Sequence, residues 1–275
     1  MNLHSPTRVT TLATALSTAA LGIAASVATA GNAGAATPVG NAVVFGDSYY
    51  SSPASADRTG DCGQSDQNWP RLAAADTGSR VDDWSCSGAT SGSMLDRIDA
   101  AAAAGALSPT TSSVFISVGG NDFSHQDAVR GNPVPDLDAR RATVLGNVGA
   151  AVAKIRAAAP VTRIIFSSYL PATDGPTYCP QGTAGPAQSD PGLDSTEAYI
   201  SDTMALAAGS NGSEFVDVRG AAKAQGNSTC SPVGQRFVTG FSDGGADHLF
   251  DWHPTQAGNR FMADQLEPRI TALPF

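Results

Sequence analysis

Positive charge is scarce in this sequence. The 275 residues include 16 Lys and Arg against 25 Asp and Glu, which gives a formal net charge of -9 at pH 7. No cluster of Lys and Arg stands out along the chain. Because nucleic acids and anionic membrane surfaces attract proteins mainly through such clusters, the sequence argues against both as partners.

Cysteine is also sparse, and the sequence has no CxxC pair, which argues against a zinc cluster and predicts no bound metal. The four cysteines are Cys62, Cys86, Cys179 and Cys230. In an exported protein their even number predicts two disulfides, and three pairings are possible. We favour Cys62–Cys86 with Cys179–Cys230, because these bonds would join loops locally.

The chain has no uninterrupted apolar run of comfortable membrane-spanning length. Residues 1–36 contain one charged residue, Arg8, and then an apolar and small-residue run from Leu12 to Val27 that Ser and Thr interrupt. This order predicts a secretory signal peptide that is cleaved near Ala35–Ala36, and no stable membrane insertion. We expect residues 37–275 to form a single secreted domain.

Short apolar runs alternate with helix-like stretches through the rest of the chain. The predicted strands are 42–45, 80–84, 114–118, 163–167 and 215–218. The predicted helices are 68–76, 93–104, 138–159 and 255–266. This alternation predicts an α/β fold with a parallel sheet covered on both faces. Residues 173–191 are rich in Gly, Pro, Ser and Thr and predict a long loop.

Chemically useful residues follow several predicted strands. Ser48 follows the first strand in the motif GDS, and Asn121 follows the run at 114–118 in the motif GGND. Gly88 lies in CSGAT, after the weaker strand, and His253 lies near the C-terminus in DWHPT. Because ligands bind beyond the carboxyl ends of parallel strands, we expect these residues to share one site.

These residue types match the needs of ester cleavage. A serine hydroxyl such as that of Ser48 is a weak nucleophile until a base removes its proton, and His253 is a suitable base near neutral pH. The backbone N–H groups of Ser48 and Gly88 and the side-chain amide of Asn121 offer three donors to the oxyanion. Each such donor is typically worth about 3–4 kcal/mol of barrier.

The four motifs also resemble, in order, the sequence blocks of a known enzyme family. GDS at 46–48, Gly88 in CSGAT, GGND at 119–122 and HPT at 253–255 are similar to the blocks of the SGNH (GDSL-type) hydrolases. The layout resembles the secreted actinobacterial lipases and esterases, over nearly the whole predicted mature chain. The resemblance implies a three-layer α/β/α sandwich with a central, mostly parallel sheet of flavodoxin type, no cofactor, and carboxylic ester hydrolysis.

The same resemblance implies roles for single residues. It implies Ser48 as nucleophile, Gly88 and Asn121 as oxyanion donors and His253 as base, and it supports the favoured disulfide pairing. One position departs from the family pattern, which usually has Asp three residues before the histidine. Phe250 stands there instead, and Asp251 lies two residues before His253.

This departure leaves two ways to orient the imidazole. We expect a backbone carbonyl near Phe250 or Asp251 to bind His253, with the Asp251 carboxylate as the alternative. A serine–histidine dyad is chemically adequate, because the third group of a triad mainly fixes the tautomer and orientation of the ring.

The expected function is that of a monomeric lipase or esterase acting on fatty-acyl or acylglycerol esters. The alternatives are a phospholipase, a carbohydrate acetyl esterase, or an inactive secreted binding module. The presence of both Ser48 and His253 argues against an inactive module. The stretch 240–244, GFSDG, matches the G-x-S-x-G elbow, but no buried strand leads into it and we expect a loop. His125 and His248 lie in loop-like sequence and are expected to be solvated.

Overall fold

The structure is a computed structural model that describes residues 40–53, 61–247 and 249–270. The predicted signal peptide with its cleavage point, and His248, lie outside these residues. Within the described ranges, none of the helices has both the length and the apolar character that a membrane span requires.

The described chain contains seven strands and eight α-helices. The strands are β1 (Ala42–Gly46), β2 (Val81–Asp83), β3 (Ser113–Ser117), β4 (Arg163–Ser167), β5 (Thr177–Tyr178), β6 (Gln188–Ser189) and β7 (Glu214–Val216). The α-helices are α1 (Ser48–Ser51), α2 (Trp69–Thr77), α3 (Ser93–Ala103), α4 (His125–Val129), α5 (Leu137–Ala158), α6 (Pro191–Ser210), α7 (Val218–Gln225) and α8 (Gln256–Leu266).

Five of the strands form one parallel sheet in the order β2-β1-β3-β4-β7. The pairing of β1 with β3 runs from Ala42 opposite Ser113 to Gly46 opposite Ser117, and both strands are fully buried. Strands β5 and β6 form a separate antiparallel pair. The parallel sheet brings the carboxyl ends of β1, β2 and β3 to one edge.

Apolar side chains of the sheet alternate between two cores. Val44 joins the core that contains Trp69 of α2 and Phe261 of α8, whereas Val43 and Phe45 join the core on the other face. Helices α3, α5 and α6 supply much of that second core. Helices on both faces of the sheet confirm the predicted three-layer α/β/α sandwich.

The prediction missed helix α6, which begins where the predicted loop at 173–191 ends. Asp190 caps this helix by accepting hydrogen bonds from the N–H groups of Gly192 and Leu193, and Pro191 occupies the first turn. The buried face of α6 includes polar residues such as Thr196 and Glu197, which weakens the apolar periodicity. The pair Asp190-Pro191, which is typical of a helix start, was the sequence signal that could have predicted this helix. Within the predicted loop the structure also places the short β5–β6 pair.

Two disulfides join Cys62 to Cys86 and Cys179 to Cys230. The bonded residues are 24 and 51 positions apart. Closing loops of this size stabilises a fold by about 3–4 kcal/mol each in the chain-entropy model. The first bond also holds the segment that leads from β2 to Gly88.

Candidate active site

Ser48 is the first residue of α1, directly beyond the carboxyl end of β1. Asp47 caps this turn, because its Oδ1 accepts the backbone N–H of Tyr49 at 3.0 Å. Gly46 is required by close packing: a Cβ at this position would lie 2.6 Å from a carbon of the Tyr50 ring. The turn therefore presents Ser48 at the edge of the sheet.

The segment that carries Gly88 is tied to the same edge. The Cys86 N–H donates to the Gly46 carbonyl oxygen at 2.9 Å. Gly88 has φ +79°, a left-handed conformation that favours glycine. Asn121, in the loop after β3, donates from Nδ2 to the Ala89 carbonyl oxygen at 2.8 Å. This bond uses one amide hydrogen of Asn121 and leaves the other directed elsewhere.

His253 lies on the loop before α8 and is 3 % exposed. Its Nδ1 is 2.6 Å from the carbonyl oxygen of Asp251. Because a carbonyl accepts a hydrogen, this contact places the proton on Nδ1 and leaves Nε2 with a lone pair. The group at this ring nitrogen is thus the Asp251 carbonyl oxygen.

An unusual backbone conformation makes this contact. Trp252 adopts φ 58°, which is rare for a bulky residue and costs on the order of 1–3 kcal/mol. The turn brings the Asp251 carbonyl back to the imidazole two residues later. Thr239 holds both sides of the turn, since its N–H donates to the His253 carbonyl oxygen at 3.1 Å and its hydroxyl donates to that of Phe250 at 2.6 Å.

Burial lowers the pKa of His253 to about 4, because the protonated ring loses its hydration, and the nearby His125 adds to this effect. The Asp251 carbonyl and carboxylate act in the opposite direction but only partly offset it. His253 is therefore neutral and able to accept a proton at any pH well above 4.

Ser48, Asn121 and His253 line one small open cavity, with about 20 Å³ of room for a water-sized molecule. Gly88 is not among its lining residues, and its neighbour Ala89 is bonded to Asn121, which is. Within the described chain, Nε2 of His253 is buried and has no hydrogen-bond partner, so the structure shows no bond from Ser48 to the ring. Such bonds are often long before substrate binds.

The expectation that His125 is solvated is wrong. His125 is 9 % exposed, lines the same cavity, and its Nε2 lies 3.7 Å from Oε1 of Glu197 in α6. Glu197 in turn accepts from the Ala172 N–H at 2.9 Å and from the Thr173 hydroxyl at 2.7 Å. This pair was not predicted because helix α6, which carries Glu197, was not predicted.

The GFSDG stretch at 240–244 forms no helix or strand, as expected. Its Asp243 binds the fully buried guanidinium of Arg236, which also pairs with Asp247. The Ser242 N–H donates to the Pro180 carbonyl oxygen at 2.9 Å. The residues of this stretch therefore have a structural role in the loop that precedes His253.

An α/β/α fold that collects a serine, an amide and a neutral histidine at the carboxyl edge of its sheet is typical of ester hydrolases. A family model described as the GDSL-like Lipase/Acylhydrolase family matches residues 44–261, and the chain belongs to this family. The protein is accordingly a hydrolase of the lipase and esterase type, and the expected relationship to the SGNH (GDSL-type) hydrolases is confirmed.

Individual relatives agree with this membership. Lipase 2 of Streptomyces coelicolor is 29% identical, over 93% of this chain and 94% of the relative. Phospholipase A1 from Streptomyces albidoflavus has a similar structure, with a TM-score of 0.65 and 22% identity over 84% of this chain and 99% of its own. The extracellular lipase of Streptomyces rimosus has a TM-score of 0.59 and 23% identity over 84% and 98%. At these identities the two structures show the fold alone.

Proposed function

We propose that this hydrolase cleaves fatty-acyl or acylglycerol esters through an acyl-enzyme formed on Ser48. The observation that carries the proposal is the contact between the Asp251 carbonyl and Nδ1 of His253, which leaves Nε2 as an acceptor beside the cavity that Ser48 lines. A histidine with this tautomer can take the proton of a serine hydroxyl.

In the proposed reaction, Nε2 of His253 accepts the Ser48 proton as Oγ attacks the ester carbonyl carbon. The oxyanion accepts hydrogen bonds from the N–H groups of Ser48 and Gly88 and from the Asn121 amide. No acceptor within the described chain is bonded to the Ser48 or Gly88 N–H groups. The alcohol departs with the proton of His253. Water then attacks the acyl-enzyme as His253 takes its proton, and His253 returns that proton to Oγ of Ser48 as the C–O bond breaks and the acid leaves.

The substrate class is supported by the surroundings of the cavity and by the relatives. A polar groove adjoins the cavity and shares Gly120, Asn121 and His125 with it. This groove is also lined by Ser124, Asp127 and Arg130, which suits an alcohol with further polar groups, such as glycerol. The Streptomyces coelicolor relative is named a lipase.

We further propose that the enzyme is secreted as a single domain of residues 37–275, works as a monomer and needs no cofactor. The signal-like composition of residues 1–36 and the two disulfides support export. The acidic net charge supports solubility and gives no reason to expect nucleic acid as a partner.

The proposal is tested by labelling the disulfide-bonded protein with a fluorophosphonate probe and mapping the modified residue. We expect label on Ser48 and none in the Ser48→Ala variant. Ser242→Ala is the matched control, because Ser242 occupies the serine position of GFSDG, and it should label normally. Label on another serine in active enzyme would contradict the proposal.

The substrate is tested with p-nitrophenyl esters from acetate to palmitate, followed by triacylglycerol, phospholipid and acetylated xylan. We expect the highest kcat/KM on medium or long acyl chains and hydrolysis of acylglycerol. A clear preference for acetate would favour a carbohydrate deacetylase, and a preference for the phospholipid would favour a phospholipase.

A further inference from the structure

A buried carboxylate lies directly beside the proposed nucleophile. Asp47 is 2 % exposed, and its described hydrogen-bond partners carry no positive charge. Oδ1 accepts the N–H of Tyr49, and Oδ2 accepts the hydroxyl of Tyr169, which follows β4. Burying a carboxylate without a cationic partner is costly, so this arrangement calls for an explanation beyond packing.

The hydroxyl of Tyr169 accepts one hydrogen bond and donates another. The Gly120 N–H donates to Oη of Tyr169 at 3.0 Å, so the single hydroxyl hydrogen of Tyr169 is directed at Asp47. Burial and the neighbouring carboxylate raise the pKa of Tyr169 well above its usual value, so the hydroxyl keeps this hydrogen. A Cβ built on Gly120 would lie 3.4 Å from Oδ2 of Asp47 and 3.5 Å from Oη of Tyr169. Three chain segments therefore converge at one point.

The two ends of this bridge are next to the proposed oxyanion donors. Asp47 precedes Ser48, and Gly120 precedes Asn121. The ladder between β1 and β3 pairs residues as far as Gly46 and Ser117, before either donor is reached. Beyond that pair, the separation of the two loops depends on contacts such as the Tyr169 bridge.

The other side-chain hydrogen bonds of the GGND loop lead to different segments, one of them from Arg140 of α5 to the Asp122 carbonyl oxygen. Asn121 binds the Ala89 carbonyl, and the Asp122 carboxylate accepts from the N–H and hydroxyl of Ser91. Both bonds fix the loop to the chain after β2. Among the hydrogen bonds of the described residues, those of Tyr169 link this loop to the turn of Ser48.

We propose that Tyr169 is a positioning residue, which together with Asp47 holds the Ser48 N–H and the Asn121 amide at the separation that an oxyanion requires. The inference rests on the proposed function of Ser48 and Asn121. Since oxyanion donors act mainly in the transition state, loss of the bridge lowers kcat and leaves KM nearly unchanged.

The main variant is Tyr169→Phe, which retains the ring that packs edge-on against Tyr49. A misplacement of about 1 Å in a catalytic site costs up to about 10²-fold in rate, so we expect kcat to fall about 10–100-fold with KM within about twofold. Rates are normalised to active sites titrated with the fluorophosphonate, so partly unfolded protein does not affect them. Tyr199→Phe is the matched control. Tyr199 also donates its hydroxyl to a carboxylate, Asp138, at a distance of 2.5 Å, and neither residue lines the cavity of the proposed site. It should retain full activity.

A double-variant cycle separates positioning from a general structural role. In the Asn121→Ala background the bridge has no amide to position, so adding Tyr169→Phe should cost less than about threefold. Asp47→Asn provides a second route if Tyr169→Phe folds poorly, since it removes the acceptor of the Tyr169 hydroxyl and retains an oxygen for the Tyr49 N–H. We expect the same loss of kcat and the same dependence on Asn121.

Full activity of Tyr169→Phe, an effect on KM alone, or an equal loss with and without Asn121 would overturn the inference. Ser48→Ala distinguishes this failure from failure of the proposed function. If Ser48→Ala retains turnover, the proposed function is wrong. If Ser48→Ala is inactive and the Tyr169→Phe result is negative, the positioning role alone is wrong.

Discussion

The burial of His253 predicts an enzyme that stays active in mild acid. With its pKa lowered to about 4, His253 is about 90% neutral at pH 5, whereas a histidine with an ordinary pKa near 6.5 would be about 3% neutral. Because the neutral ring is the proposed base, kcat/KM at pH 5 should be about 30-fold higher than an ordinary histidine allows.

The assay is the pH dependence of kcat/KM between pH 3.5 and 8, with product measured after quenching. This parameter reports the pKa of the free enzyme, so we expect a plateau above pH 5 and half of the plateau value near pH 4. Enzyme incubated at each pH and then assayed at pH 7 controls for acid unfolding. A half-maximum near pH 6.5 with full recovery at pH 7 would refute the reasoning from burial.

Three further predictions concern single residues. Asp251→Asn should keep kcat within about threefold, because the carbonyl holds Nδ1; a loss near the 10⁴-fold typical of a triad carboxylate would show that the side chain acts. Arg236→Met leaves the buried carboxylates of Asp243 and Asp247 without their cation, so it should lower the free energy of unfolding by about 3–5 kcal/mol. Urea denaturation measures this loss, and an unchanged midpoint would contradict it. Gly46→Ala should cost about 1–3 kcal/mol by the same measurement, and no loss would mean that the tyrosine ring can move aside.

The same pKa values also predict how stability responds to acid. Between pH 6.5 and 4, His253 is protonated in the unfolded chain and stays neutral in the folded chain. Lowering the pH through this range therefore lowers the free energy of unfolding by up to about 3 kcal/mol. Burial raises the pKa of Asp47 to about 6, which has the opposite sign: its folded form holds a proton that the unfolded chain releases between pH 3.8 and 6. The two effects oppose each other in the window from pH 4 to 6.

The parts of the site that sequence could place are those at the ends of buried strands. The runs that became β1 and β3 are mostly apolar and short, and parallel strands present their carboxyl ends at one edge, so Ser48 and Asn121 were expected at the same edge of the sheet. These placements depend on local pattern and sheet geometry. Four of the helices were also predicted to within a residue or so, since each has apolar periodicity or clear end signals.

The parts that sequence could not place depend on contacts between distant residues. Tyr169 reaches Asp47 from 122 positions away, and no motif surrounds it. A carbonyl contact to His253 was expected from the residues before it, but the left-handed conformation of Trp252 that makes this contact was not, because a bulky residue rarely adopts it. The buried face of helix α6 contains several polar residues, so its sequence lacks a clear apolar periodicity and the helix was not predicted. The contact between Glu197 of this helix and His125 was missed for the same reason.

The bond between Cys62 and Cys86 has a practical consequence for how this enzyme is made. Cys86 stands two residues before Gly88, and the Ser87 N–H donates to the Cys62 carbonyl oxygen at 2.9 Å. Protein produced in a reducing cytoplasm would lack this covalent anchor of the Gly88 segment and the stability that the bond contributes. Preparations in which different fractions of the molecules carry this bond should then differ in specific activity. Oxidation after purification should make their specific activities equal.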